Sequence, residues 1–423
     1  MNEALLQFIW QYSLYSSAGL QTTHGEPLTI IYSGKLNRDA GPDFSGGKIK
    51  IGTTTLVGNI ELHIKSSDWL RHGHQNDAAY QKLILHVVYE NDMAGVAGNT
   101  PVLELKQHIP QHIITHYAGL MQASGKLPCS GQHAAVREIT KESWLSRLLA
   151  ERWEQKLADW NILLKNSKED WQNLLYWRMA ANFGFKTNAV PFLMLAQSLP
   201  LNLPAKHREN LTHIEALLFG QAGMLEADFT DDYPRELQRE YDYLQKKYRL
   251  KPIESHLWKF LRMRPANFPT IRIAQFAALM HKSLHLFSQI IETHTVKEIE
   301  PLLEVAASSY WDTHFQFDAS PKQATPKSLG KTSVHNIIIN TIAPIQFLYA
   351  SKQDTHKLQE RALQLLEAVP AEKNNITALW DNNGWSAANA AQSQAMIQLY
   401  NSYCTSKRCL ECTVGLNIIR SAS

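Results

Sequence analysis

Apolar positions along the first hundred residues change period several times. Over residues 2–17, Leu5, Leu6, Phe8, Ile9, Tyr12 and Leu14 fall at helical spacing. Leu28 to Tyr32 is a β-type run, and 34–41 is a polar connection. Gly47 to Ile51 alternates as a half-buried strand does, and Gly52-Thr53-Thr54 suits a hairpin turn. Leu56 to Lys65 predicts the next strand. Side chains alternate with period two, so Ile60, Leu62 and Ile64 share one face, and Glu61, His63 and Lys65 share the other. A short helix is expected within 72–80. Leu83 to Tyr89 is nearly all apolar, the mark of a central strand covered on both faces, and Pro101 to Lys106 is a further short strand.

This order predicts a mixed α/β sheet domain over residues 1–118. Beyond it the strand signal fades. Helical periodicity recurs at 140–164, 170–183, 187–199, 206–219 and 234–248, then at 271–292, 297–306, 335–350, 352–369 and 386–403. Residues 119–403 therefore read as a large helical domain, with an exposed loop at 317–332 and a Cys-rich tail at 404–423. The expected class is α+β. No repeat of fixed period stands out.

Composition narrows the possibilities. With 423 residues, 44% hydrophobic and 19% charged, the chain is a folded protein of more than one domain. A formal net charge of +3 excludes a polybasic binder, so any nucleic-acid contact has to come from a local patch. No apolar run is long enough for a transmembrane helix. The first helix carries Glu3 and no Lys or Arg, and reads as an amphipathic helix, not a signal peptide. A cytoplasmic location without a membrane partner is the expectation. Phosphate-cradling Gly-rich loops and the nucleophile elbow of hydrolases are absent from the sequence.

The sharpest chemical signal is Pro42-Asp43 followed by Glu61-Leu62-His63. Carboxylates on adjacent strands can share a hard divalent ion such as Mg²⁺ or Mn²⁺. Such an ion neutralises phosphate oxygens and activates water, with His63 or Lys65 orienting that water. A solvated strand face is the plain alternative for Glu61, His63 and Lys65. Asp68, Trp69, His72, His74, Asp77 and His86 crowd the following segment. His72, His74 and Asp77 are candidate accessory ligands or proton donors. Otherwise they form a polar turn in which Asp77 caps locally, with His86 a hydrogen-bonded core residue.

The four Cys are Cys129, Cys404, Cys409 and Cys412. They suit Zn²⁺ or a [4Fe–4S] cluster, which would close the tail back on Cys129; buried free thiols are the alternative. Residues 246–272 carry eight Lys or Arg against Glu254 alone, with Tyr248, Trp258, Phe260 and Phe268 interleaved. Arg249, Lys259, Arg262 and Arg264 are the candidate contacts to DNA or RNA. A solvated helix face whose aromatics lie in the core is the alternative.

Pro-Asp, a gap, then Glu-x-His where Glu-x-Lys is usual, in this element order, resembles the PD-(D/E)XK nuclease superfamily over about residues 1–107. The resemblance implies a restriction-endonuclease-like sheet, Asp43 and Glu61 as metal ligands, and nucleic-acid hydrolysis. His63 stands in the position of the usual Lys. The whole chain also resembles an uncharacterised bacterial family, domain of unknown function 2851. That resemblance rests on Gly-Pro-Asp-Phe (41–44), Gly-Asn-Ile-Glu-Leu-His (58–63), Ser-Ser-Asp-Trp (66–69) and Leu-His-Val-Val-Tyr (85–89). The expected function is metal-dependent phosphodiester hydrolysis. Two rivals are a non-catalytic nucleic-acid-binding module on a decayed nuclease fold and a helical protein-interaction scaffold.

Overall fold

The computed structural model describes residues 1–283 and 285–421. Two compact units make up the chain. The first comprises Met1–Trp144, Asn383–Trp385 and Leu399–Ser423; the second comprises Leu145–Asn382 and Ser386–Gln398.

The first unit is built on a six-stranded mixed sheet: β1 (Leu28–Tyr32), β2 (Lys35–Leu36), β3 (Phe44–Ile51), β4 (Thr54–Lys65), β5 (Leu83–Glu90) and β6 (Val102–Glu104). The order is β1-β3-β4-β5-β6, with the short β2 also on β3. Pairing is antiparallel from β1 through β4 and parallel from β4 through β6. The switch follows from the connections. Gly52-Thr53 closes a tight β3–β4 hairpin, whereas β4 and β5 can run parallel only through a crossover, which residues 66–82 supply. Helix α1 (Glu3–Gln11) packs on β4 with Leu5, Leu6, Phe8, Ile9 and Trp10 buried, and Asn2 caps it by accepting the Leu5 N–H. The crossover holds the one-turn helix α2 (Asp68–Arg71) and two 3₁₀ turns, His74–Asn76 and Ala78–Tyr80, in place of the single short helix expected there. Helix α3 (Gln111–Gln122) packs against the helix Thr413–Arg420.

Over residues 60–63, β4 is buried on both faces. Ile60 and Leu62 are buried, and so are Glu61 and His63. The solvated-face alternative for these polar residues therefore fails, because the crossover covers them.

The second unit is helical. Helices Trp171–Phe183, Ala189–Ser198 and Asp232–Tyr248 lie close to the expected bounds. The stretch expected as one helix over 271–292 is two, Pro269–Lys282 and Leu286–Glu292; Leu284, within that expectation, lies outside the described residues, as do Ala422 and Ser423 of the tail. Residues 249–268 do not form the anticipated helix face. They run irregularly through 3₁₀ turns at Ser255–Leu257 and Pro265–Asn267, since Pro252 and Pro265 interrupt helical hydrogen bonding. Among the described residues, no helix is long and apolar enough to cross a membrane.

Within this unit Glu215 is almost fully buried and faces the hydroxyls of Tyr233 and Ser308. Burial pushes its carboxyl from 4.5 up to about 7. A group whose folded pKa is raised gives its full stabilisation below pH 4.5 and loses it as pH climbs through about 7. Glu215→Gln stays neutral throughout. Urea unfolding at a series of pH values should show the wild type losing on the order of 3 kcal/mol more than the variant over that interval. Parallel stability curves would show that Glu215 does not titrate there.

Candidate metal centre

Where β3 and β4 stop pairing beyond Phe44↔Ile60, side chains continue the ladder. The Asp43 N–H donates to Glu61 Oε2 (3.0 Å), and the Leu62 N–H donates to Asp43 Oδ2 (3.0 Å). Gln7 Nε2, from α1, donates to Asp43 Oδ1 (2.8 Å). Asn37 orders the approach by donating to the Pro42 carbonyl while its own N–H bonds the Asp43 carbonyl. Asp43 and Glu61 thus clasp one another. Burial, then mutual charge, raises Glu61 to about 8, and burial raises Asp43 to about 6.

The second oxygen of Glu61 turns toward imidazoles. Glu61 Oε1 lies 3.4 Å from His74 Nε2 and 3.7 Å from His63 Nε2. His63 Nε2 lies 3.2 Å from His72 Nδ1. One ring nitrogen from each of His63, His72 and His74 falls within 4.8 Å of the other two. A tetrahedral ion with bonds of ~2.1 Å has ligand–ligand edges of ~3.4 Å, so these separations match a single coordination sphere. His74 Nε2 is buried and has no hydrogen-bond partner despite its closeness to Glu61. Desolvation by burial lowers His63 to about 2, with neighbouring histidines adding to the effect, and burial also lowers His74. Both rings are therefore neutral, which is the metal-binding form.

Local chemistry brings the rings together. Glu61 and His63 are two apart on β4 and share a face. Ser66 and Ser67 anchor the start of the crossover to Asp92, with Ser67 Oγ donating at 2.8 Å to Oδ2. Gly73, at φ +75°, lies between His72 and His74 and turns the chain in the left-handed region. Tyr80 stacks on His74 at 3.8 Å, and Trp69 lies edge-on to His63 and His74 and tilted against His86. The cluster grades outward from the fully buried His63, through the half-buried His74, to the exposed His72, so it opens to solvent.

His86 completes the arrangement from β5. Its Nε2 is 2.9 Å from His63 Nδ1, and Glu61 and His86 are paired in the parallel ladder. With His63 Nδ1–H donating to His86, His63 Nε2 keeps its lone pair for a ligand. The sequence places His86 in the core; its role as an orienting partner depends on strand register, which sequence alone does not supply.

Other candidates lie elsewhere. Lys65 is exposed and its charge acts on Glu90 and Asp92. Asp77 accepts the Ala79 N–H as a local cap. In the second unit Arg249, Lys259, Arg262 and Arg264 are exposed. The interleaved aromatics belong to the fold: Trp258 is buried and donates to the Ala222 carbonyl, and Phe260 packs on Phe268. The four Cys are all buried, all in the first unit.

The chain belongs to the family described as protein of unknown function (DUF2851), whose model matches residues 3–375. It matches no curated protein and no solved structure.

The clasp makes Asp43 a structural residue as well as a candidate ligand. Asp43→Ala strands the Leu62 N–H and the Gln7 amide, and should cost about 1–3 kcal/mol. Chemical denaturation measures it; an unshifted midpoint would mean that the carboxylate clasp contributes nothing to stability.

Proposed function

We propose that this protein is a metal-dependent hydrolase of phosphodiester bonds in nucleic acid. One observation carries the reading: the His63, His72 and His74 imidazoles converge at the spacing of one ion's ligands, with the Glu61 carboxylate beside His63 and His74 and Asp43 held against Glu61. The resemblance of Asp43 and Glu61 to the carboxylates of PD-(D/E)XK nucleases supports the substrate class. So do the exposed cations Arg249, Lys259, Arg262 and Arg264.

The donor set favours Mn²⁺ or Zn²⁺ over Mg²⁺, since imidazole nitrogen suits the softer ions. When bound, the ion supplies Lewis acidity toward the phosphate and eases deprotonation of water. The three imidazoles would hold it, with Glu61 beside His63 and His74. His86 fixes the His63 ring through Nδ1. The clasp through Gln7 and Leu62 keeps Asp43 beside Glu61, where its remaining lone pairs can take a proton from an attacking water. His72, the outermost ring, meets the incoming phosphate. Lys65 takes no part.

Full-length protein should cleave single- or double-stranded DNA or RNA in the presence of Mn²⁺ or Zn²⁺ and stop with EDTA. Glu61→Gln and His72→Ala should each lower the rate by at least ~10²-fold while thermal melts show a folded chain. Salt-sensitive binding without cleavage would replace this reading with the non-catalytic module. Absence of both would leave the scaffold.

Positioning by His86 has its own readout. His86→Phe should weaken Mn²⁺ affinity by about 10–100-fold, measured by calorimetric titration of folded variant and wild type. Equal affinities would remove His86 from the site.

A further inference from the structure

Cys404, Cys409 and Cys412 lie close together in sequence and Cys129 lies far from them, yet one unit gathers all four. Cys129 sits in the turn after α3, where its carbonyl accepts the Gln132 and His133 N–H groups. Cys404 ends the π-helical turn Tyr400–Cys404, a form of helix that recurs at functional positions. Cys409 follows the left-handed Lys407. Cys412 is the residue before the helix Thr413–Arg420. All four are nine-tenths or more buried. Every pair among them is close enough for one sulfur's charge to disfavour charge on the other.

The surrounding chain is tailored to hold this arrangement. Gly415 presses on the Cys409 carbonyl, and a Cβ there would fall 2.3 Å from that oxygen. Burial raises the Cys412 thiol, and the neighbouring Val414 and Gly415 N–H groups act against that shift. Arg408 pairs twice with Glu411 and lies over the Tyr403 ring, whose edge meets Trp144. Lys407 donates to the Met121 and Ala123 carbonyls, tying the 404–412 loop to the end of α3. These are contacts of a built loop, and its sulfurs converge.

We propose that Cys129, Cys404, Cys409 and Cys412 are the four ligands of a [4Fe–4S] cluster. Four buried thiols gathered in one unit from two distant stretches of chain make the donor set of one thiophilic centre. Spacing selects which one. In a ZnS₄ tetrahedron with bonds of ~2.3 Å, the sulfurs lie ~3.8 Å apart. Among the described residues, no three of these sulfurs lie within 4.8 Å of one another. A cube of irons and sulfides stands between its thiolates and holds them wider than a single ion does.

The centre is distinct in residues and donor type from the one at Glu61, and neither depends on the other. As a crosslink it ties Cys129 to Cys404 across about 275 residues of chain. It would clamp the C-terminal segment into the first unit.

The test is anaerobic purification of the full chain, with iron, sulfide and zinc analysis and a visible absorption spectrum. About four irons and four sulfides per chain are expected, with a broad visible band bleached by dithionite. Cys409→Ser should lose the band. Because that variant can fail to fold, wild-type chain stripped of metal is also reconstituted with ferrous iron and sulfide, and the same band should return. Stoichiometric zinc without iron would overturn the proposal, as would four thiols that titrate freely after unfolding of protein free of iron and sulfide.

Discussion

A carboxylate that accepts a backbone N–H takes the place of a missing ladder bond, and at the Phe44 end of β3 two carboxylates do so reciprocally. Asp43 receives Leu62, and Glu61 receives Asp43. This exchange lets β3 and β4 part without leaving buried donors stranded. It also fixes the Glu61 side chain, so that one oxygen serves the backbone and the other is turned toward histidines. That second oxygen lies beside the Nε2 atoms of His74 and His63.

Both polar clusters of the first unit obey one electrostatic rule. Burial opposes the charged form of a carboxylic acid, an imidazole and a thiol alike. At the strand cluster it lowers His63, His74 and His86. At the Cys cluster it gives thiols whose ionisation needs a positive centre. The fold bears the desolvation of these groups because each sits in a rigid frame. One frame is β4 and β5 with Trp69 as backing; the other is the packing of α3 on the helix Thr413–Arg420.

Much of this was legible in the sequence. Alternation over Leu56 to Lys65 assigned Glu61 and His63 to one face, and the apolar run from Leu83 marked β5 as central. Its crossover covered the polar face of β4, an effect of tertiary structure that strand periodicity does not carry. The two-residue β2 is too short to leave a pattern, and α3 carries its His and Thr residues without a clear apolar stripe. The segment 68–86 was recognised as chemically dense, but selecting His72 and His74 over Asp77 required the turn at Gly73. Selecting His86 required the β4–β5 register. The basic stretch near residue 260 was read from composition, and its prolines marked the irregular backbone that the charge pattern hid.

The first unit is discontinuous in sequence, with the second inserted between its segments. A ribosome therefore releases the sheet and nearly all of the second unit before the residues that finish the first unit exist. The helical unit can fold while its host is incomplete, and the sheet-bearing portion must wait, or be shielded, until the closing helix Thr413–Arg420 emerges. The topology thus makes the first unit depend on residues that follow most of the second, so its sheet is synthesised long before Cys404, Cys409 and Cys412 can join Cys129.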